Sequence, residues 1–229
     1  MARTTDEEFE AILDGELAWR RTELHSLLTQ LTQASRSNPD SPVARGLSRS
    51  LATLLYAHWE GYTKAALDAY LKLILRRRPR ASEAADGLLI AHASQLVRRM
   101  DSGDMQARSD LSELARGSST SRLRLTPGRV VNTESNLRHV TLEKMLDTLN
   151  LPGANFETKK NLIDVLLCDR RNSIAHGRNE FPTTDEIAEL HQQVLSLLEE
   201  VRNALILAVR TKSYLCSSSA TPEHAQSPD

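Results

Sequence analysis

Between Pro42 and Pro79 the chain contains no proline, and Leu47, Leu51, Leu54, Leu55, Trp59, Tyr62, Ala66, Ala69 and Leu73 recur at helical spacing along it. This stripe predicts one long helix that must be buried against others. Ser41 ahead of it offers a side-chain cap, and Pro42 suits the first helical turn, where its missing N–H has no partner to lose. Pro79, in "RRRPR", stops the helix.

The rest of the chain reads the same way. Thr5 and Glu8 have capping-box spacing, and Leu13, Leu17, Leu24, Leu27, Leu28 and Leu31 carry a first helix to about Ala34. A third helix is expected from Glu83 to Met100. Residues 101–136 lose the pattern and gain Ser, Gly and Arg; within them "RLRLTPGRVV" predicts a small hairpin turning at Pro127-Gly128. Helical spacing resumes at Thr141 with Leu142, Met145, Leu146 and Leu149, stops at "NLPG", and restarts from Glu157 to His176. Thr183 and Glu186 repeat the capping-box spacing ahead of Ile187, Leu190, Val194, Leu197, Leu198, Val201 and Leu205. The expected fold is an all-α bundle of long antiparallel helices in one domain, 1–213, with an irregular basic excursion at 101–136 and a disordered tail at 214–229. Aromatic residues make up only 4% of the chain, so Leu, Ala and Val must fill most of its core.

Charge limits the partners. The net charge of -1 argues against a generic polyanion binder, so any nucleic-acid contact must come from a local patch. Such a patch exists: from Tyr70 to Val140 there are 13 Lys and Arg against 7 Asp and Glu. Arg76, Arg77 and Arg78, with Arg80 and the arginines of 116–138, either form a solvated face or follow a phosphate backbone. Two cysteines at Cys168 and Cys216 make no metal spacing and no disulfide framework, as expected of a cytoplasmic protein. The acidic "MARTTDEEFEAILDGE" is no apolar leader, and no window approaches a membrane span.

One stretch is more polar than a core helix requires. In "NLIDVLLCDRRNSIAHG", Ile163, Leu166, Leu167 and Ile174 share one side of a helical wheel, while Asp169, Asn172 and His176 share the other and Arg171 flanks them. Gly177 suits the left-handed position after a helix end, which sets His176 in the last turn. Either this is a polar helix end with a capping histidine, or it is chemistry. Imidazole ordinarily titrates near neutrality and can move protons, and a guanidinium can neutralise charge developing on phosphorus. Together they suffice for cleavage of a phosphodiester whose own 2′-hydroxyl is the nucleophile, so no metal is required. Other chemistry lacks its motifs: there is no H-E-x-x-H, no G-x-x-x-x-G-K-[ST] and no G-x-S-x-G. In "HWEGY", Trp59 and Tyr62 read as core residues with their polar atoms satisfied, and His58 and Glu60 as lesser catalytic candidates.

Arg171-Asn172-Ser173-Ile174-Ala175-His176, followed by Gly177, resembles the R-x4-6-H signature of the HEPN superfamily. "LLYAHWEGYTKAALDAYL" is similar to the second helix of the HEPN subfamily found beside RiboL-PSP modules, and "ESNLRHVTLEKMLDTLNL" to that subfamily's segment ahead of the signature helix. The resemblance covers most of residues 10–210. It implies an α-helical bundle that dimerises with signature helices facing each other, as in metal-independent endoribonucleases of toxin–antitoxin or defence systems. Arg171 would then bind phosphate and stabilise the transition state, His176 would act as general acid/base, and Asn172 would orient them. Arg170 is the alternative motif arginine but falls on the core stripe of the wheel. Arg170 and Arg178 are also expected near RNA. HEPN toxins silenced by adenylylation carry a Tyr two residues after the His, where this chain has Arg178. The partners implied are RNA, a second copy of the chain and a cognate antitoxin or immunity protein, with no cofactor. The alternatives are a HEPN module without catalysis that binds RNA or assembles with a neighbouring enzyme, and a helical scaffold with no RNA connection.

Overall fold

A computed structural model describes residues 5–152 and 156–216. Three long helices form the frame: α1 (Asp6–Ser37), α2 (Pro42–Arg77) and α8 (Thr184–Thr211). Between α2 and α8 come α3 (Asp86–Asp101), α4 (Met105–Ala115), α5 (Pro127–Val130), α6 (His139–Thr148) and α7 (Arg170–Ala175). The fold is all-α, and among the described residues the only β pairings are two isolated bridges, Arg80 with Arg122 and Ala84 with Leu215.

Local chemistry sets the starts of the frame helices. Thr5 and Glu8 exchange side-chain and backbone hydrogen bonds across the first turn of α1, as Thr183 and Glu186 do for α8. Ser41 accepts from the Ala44 N–H, with Pro42 in the first turn of α2. α1 runs antiparallel to both other helices, since Phe9 lies beside Tyr70 and Arg77 pairs with Asp6, while Arg202 pairs with Asp14 and Ser35 meets Thr184. The stripes close over a core in which Trp59, Tyr62, Leu55, Leu67, Leu197 and Leu198 have no exposed surface. Trp59 satisfies its indole N–H on the Leu137 carbonyl at 3.4 Å, but the Tyr62 hydroxyl is buried without a hydrogen-bond partner among the described residues, against the expectation from sequence.

Three departures from the sequence expectations have physical causes. The predicted hairpin at Pro127-Gly128 is the single helical turn α5: Pro127 takes its first position, and Val130 and Val131 reach the core instead of pairing across a ladder. The helix expected over Glu157–His176 is not a uniform α-helix. It opens with a 3₁₀ turn at Glu157–Lys159, continues as a π-helix over Leu162–Asp169, and becomes α7 only at Arg170. The wider π turns redirect its faces, so Ile163, Leu167 and Cys168 are fully buried while Leu166 and Ile174 are only partly so. Finally, Tyr214 and Leu215 pack onto the core cluster, and Ala85 donates its N–H to the Tyr214 carbonyl. The rest of the expected tail, from 217, lies outside the described residues, as does Gly153 of the "NLPG" stop.

Candidate functional site

The polar helix end identified from sequence lies across the N-terminal half of α2. Arg49 of α2 donates to the carbonyls of Ile174 at 3.3 Å, Arg178 at 2.7 Å and Glu180 at 2.8 Å, so one guanidinium serves a carbonyl in the last turn of α7 and two in the chain that follows it. The same end is closed by its own backbone. Gly177, at φ +76°, donates to the Ile174 carbonyl, and Arg178 donates to that of Ser173. His176 is therefore the C-cap of α7, one residue past the last turn in which its spacing from Gly177 sets it, and it is exposed. Its imidazole makes no hydrogen bond or ion pair with the described residues.

Arg171 is held from three sides. Its guanidinium carbon stands 4.2 Å from the centroid of the Tyr56 ring, one Nη donates to Asn172 Oδ1 at 2.8 Å, and the other reaches the Ser135 carbonyl at 3.3 Å. The loop that presents this carbonyl is unusual, since Glu134 and Ser135 both adopt left-handed φ, +54° and +61°. Non-glycine residues in that region are strained, and they persist where surrounding contacts fix them. Here the contacts are next in sequence: Leu137 donates its N–H to the Tyr56 hydroxyl at 2.8 Å, and its carbonyl accepts from Trp59 and, at 3.3 Å, from the Cys168 thiol. Burial pushes the Tyr56 phenol and the Cys168 thiol each up to about 12, so both stay neutral packing groups beside the arginine.

The remaining residues predicted for the site divide. Arg170 is partly withdrawn: its side chain lies 3.4 Å from Glu180 and 3.5 Å from Glu186. Asp169 pairs with Arg138 at 2.5 Å, so part of the polar face is satisfied within the chain. Arg178 is exposed beside His176. Arg76, Arg77 and Arg78 are elsewhere, at the far end of α2, where Arg77 binds Asp6 and the Tyr214 hydroxyl and Arg78 ends the helix in a left-handed conformation. From Tyr56 to Arg77 the helix rises roughly 30 Å, so these arginines do not join Arg171 in one site. His58 lies 2.8 Å from Glu23, packed edge-on against Trp19 within α1 and α2 and not in this site.

Four contributors were not legible as site residues: Tyr56, Arg49, Ser135 and Arg138. Tyr56 reads as one more core aromatic because its stripe neighbours Trp59 and Tyr62 are core, and Arg49 carries no local signal at all. Arg138 belongs to the basic middle of the chain, but only folding sets it beside Asp169. Folding also assembles a set with metal-ligand chemistry that spacing alone does not show. The ligand atoms of His139, Glu143 and Glu157 all lie within 4.8 Å of one another. Among the described residues no helix is long and apolar enough to cross a membrane.

The family model for MAE_28990-like HEPN proteins matches residues 9–214, which takes in all the helices described above except the first three residues of α1. No curated protein and no solved structure matches the chain.

Proposed function

Because the chain belongs to the MAE_28990-like HEPN family, we propose that it is a metal-independent endoribonuclease whose cleft is completed by a second copy of itself. It acts in a toxin–antitoxin or anti-phage defence setting, with a cognate antitoxin or immunity protein as its restraint. The observation that carries this reading is the posture of Arg171, which is clamped by Tyr56, Asn172 and Ser135 on the same helix end that leaves His176 exposed. A surface arginine gains little from such bracing unless its direction matters.

Helix geometry supports the composite cleft. His176 stands five positions after Arg171, which places them about 140° apart around the axis. One chain therefore points them in different directions, whereas two facing helices related by a two-fold axis bring the arginine of each toward the histidine of the other. In that cleft one imidazole takes the proton of the RNA 2′-hydroxyl as its oxygen bonds to phosphorus. The second, protonated, delivers a proton to the departing 5′-oxygen, and Arg171 neutralises the charge on the non-bridging oxygens. The products are a 2′,3′-cyclic phosphate and a 5′-hydroxyl.

The test is single-stranded RNA and DNA of one sequence incubated with the protein in EDTA. RNA ends carrying cyclic phosphate with DNA intact are expected; cleavage that requires added magnesium overturns the reading. A second reading, an RNA-binding HEPN module without catalysis, draws on the lack of any orienting partner for the His176 imidazole among the described residues. RNA retained and uncut by a dimer identifies that case.

A further inference from the structure

His139 opens α6 with its side chain almost wholly buried, and both its ring nitrogens have defined surroundings. Nε2 lies 3.0 Å from the Phe156 carbonyl oxygen, which can only accept, so Nε2 carries the proton of that hydrogen bond. Nδ1 faces the Glu143 carboxylate at 3.3 Å, one turn further along α6. Glu157, at the start of the 3₁₀ turn that leads into the signature helix, brings a third ligand atom within 4.8 Å of the other two.

We propose that His139, Glu143 and Glu157 form a divalent-cation site that clips α6 to the chain entering the signature helix. The chemistry fits a zinc ion. Bonds of about 2.0–2.1 Å at a tetrahedral centre set neighbouring ligand atoms roughly 3.3 Å apart, the separation found between His139 and Glu143. The proton on Nε2, fixed by a backbone carbonyl, is the usual outer-shell arrangement that turns the opposite ring nitrogen toward a metal. Glu143 and Glu157 are partly or fully open to solvent, so the fourth position falls to water.

The position gives the ion a mechanical role. His139 also donates its backbone N–H to Asp164 at 2.8 Å, and Asp164 stands about two helical turns before Arg171. A cation joining Glu157 to α6 would fix the start of the helix whose end carries Arg171 and His176. This inference concerns binding and stability and does not depend on RNA cleavage, so either can fail without the other.

The test uses full-length protein stripped with EDTA and desalted, titrated with zinc chloride by calorimetry and followed by its melting temperature. About one ion per chain and a raised melting temperature are expected. Glu143→Gln/Glu157→Gln should keep the parental circular dichroism but lose at least about tenfold in zinc affinity, since these side chains are exposed enough to change without loss of the fold. His176→Ala should bind zinc as the parent does. Absence of binding, or equal affinity in the double variant, overturns the proposal and leaves His139 in contact with Glu143 alone.

Discussion

The guanidinium of Arg171 rests 4.2 Å from the centre of the Tyr56 ring, while the hydroxyl of that ring accepts the Leu137 N–H at 2.8 Å. One side chain thus braces Arg171 with its face and pins the strained 134–138 loop with its edge. The two roles separate by substitution. Tyr56→Phe keeps the face but leaves the Leu137 N–H buried and unpaired, which should cost about 1–3 kcal/mol in urea unfolding. Tyr56→Leu also removes the cation–π contact, and RNA cleavage at equal folded fraction should fall further, by roughly tenfold relative to Tyr56→Phe. Equal cleavage by the two variants would mean that the ring does not position Arg171.

Acid should weaken the fold before the carboxylates titrate. His58 and His191 are buried, and loss of hydration lowers the pKa of each below its ordinary 6.5; Glu23 partly offsets this at His58, where Arg20 adds to it, and His25 adds to it at His191. Well above pH 6.5 both are neutral in either state. As pH falls below that value the unfolded chain binds protons that the folded chain refuses, so stability declines, by at most about 1.4 kcal/mol per pH unit for each histidine. Urea midpoints between pH 7.5 and 5.5 should show the decline, and His191→Gln should flatten it. A pH-independent midpoint would contradict the burial of these two rings in neutral form.

The frame of the fold is legible in sequence because its determinants are local. The Thr5–Glu8 and Thr183–Glu186 boxes and the Ser41-Pro42 start each act within one turn, and the leucine stripes need only the helical period. What fails is what depends on remote partners. The wheel over 163–174 assumed 3.6 residues per turn, and no residue there announces the π turns that bury Cys168 and leave Leu166 half covered. The valines after Pro127-Gly128 fit a strand by propensity, but their burial is decided by the core beneath them. At the site, Asp169, Asn172 and His176 are visible as a spaced polar face flanked by Arg171, and the Arg171–Asn172 hydrogen bond joins neighbours in sequence. Tyr56 and Arg49 come from more than a hundred residues away, so spacing holds no trace of them.

The distant arginines offer a separate measure of how far RNA extends. Contact with both the signature and the end of α2 requires a strand to cross roughly 30 Å of surface. If it does, Arg76→Ala/Arg77→Ala/Arg78→Ala should weaken RNA binding and flatten its salt dependence by roughly one counterion per lost phosphate contact. Because Arg77 also ties α2 to Asp6 and Tyr214, the variant should be compared at equal folded fraction. An unchanged slope assigns these arginines to the fold and to solvent.

The most direct measurement is single-turnover RNA cleavage by the parent, His176→Ala and Arg171→Lys, each checked by circular dichroism and light scattering. A helix-end histidine contributes on the order of 1 kcal/mol to stability, so His176→Ala should remain helical and dimeric. Its cleavage rate should drop by roughly 10² to 10⁴, the contribution of a general acid/base. Arg171→Lys should also be severely impaired, because an ammonium keeps the charge but not the planar fork that Tyr56 and Asn172 hold in place. A folded His176→Ala dimer that cuts RNA at the parental rate would contradict the assignment of this helix end as the catalytic site.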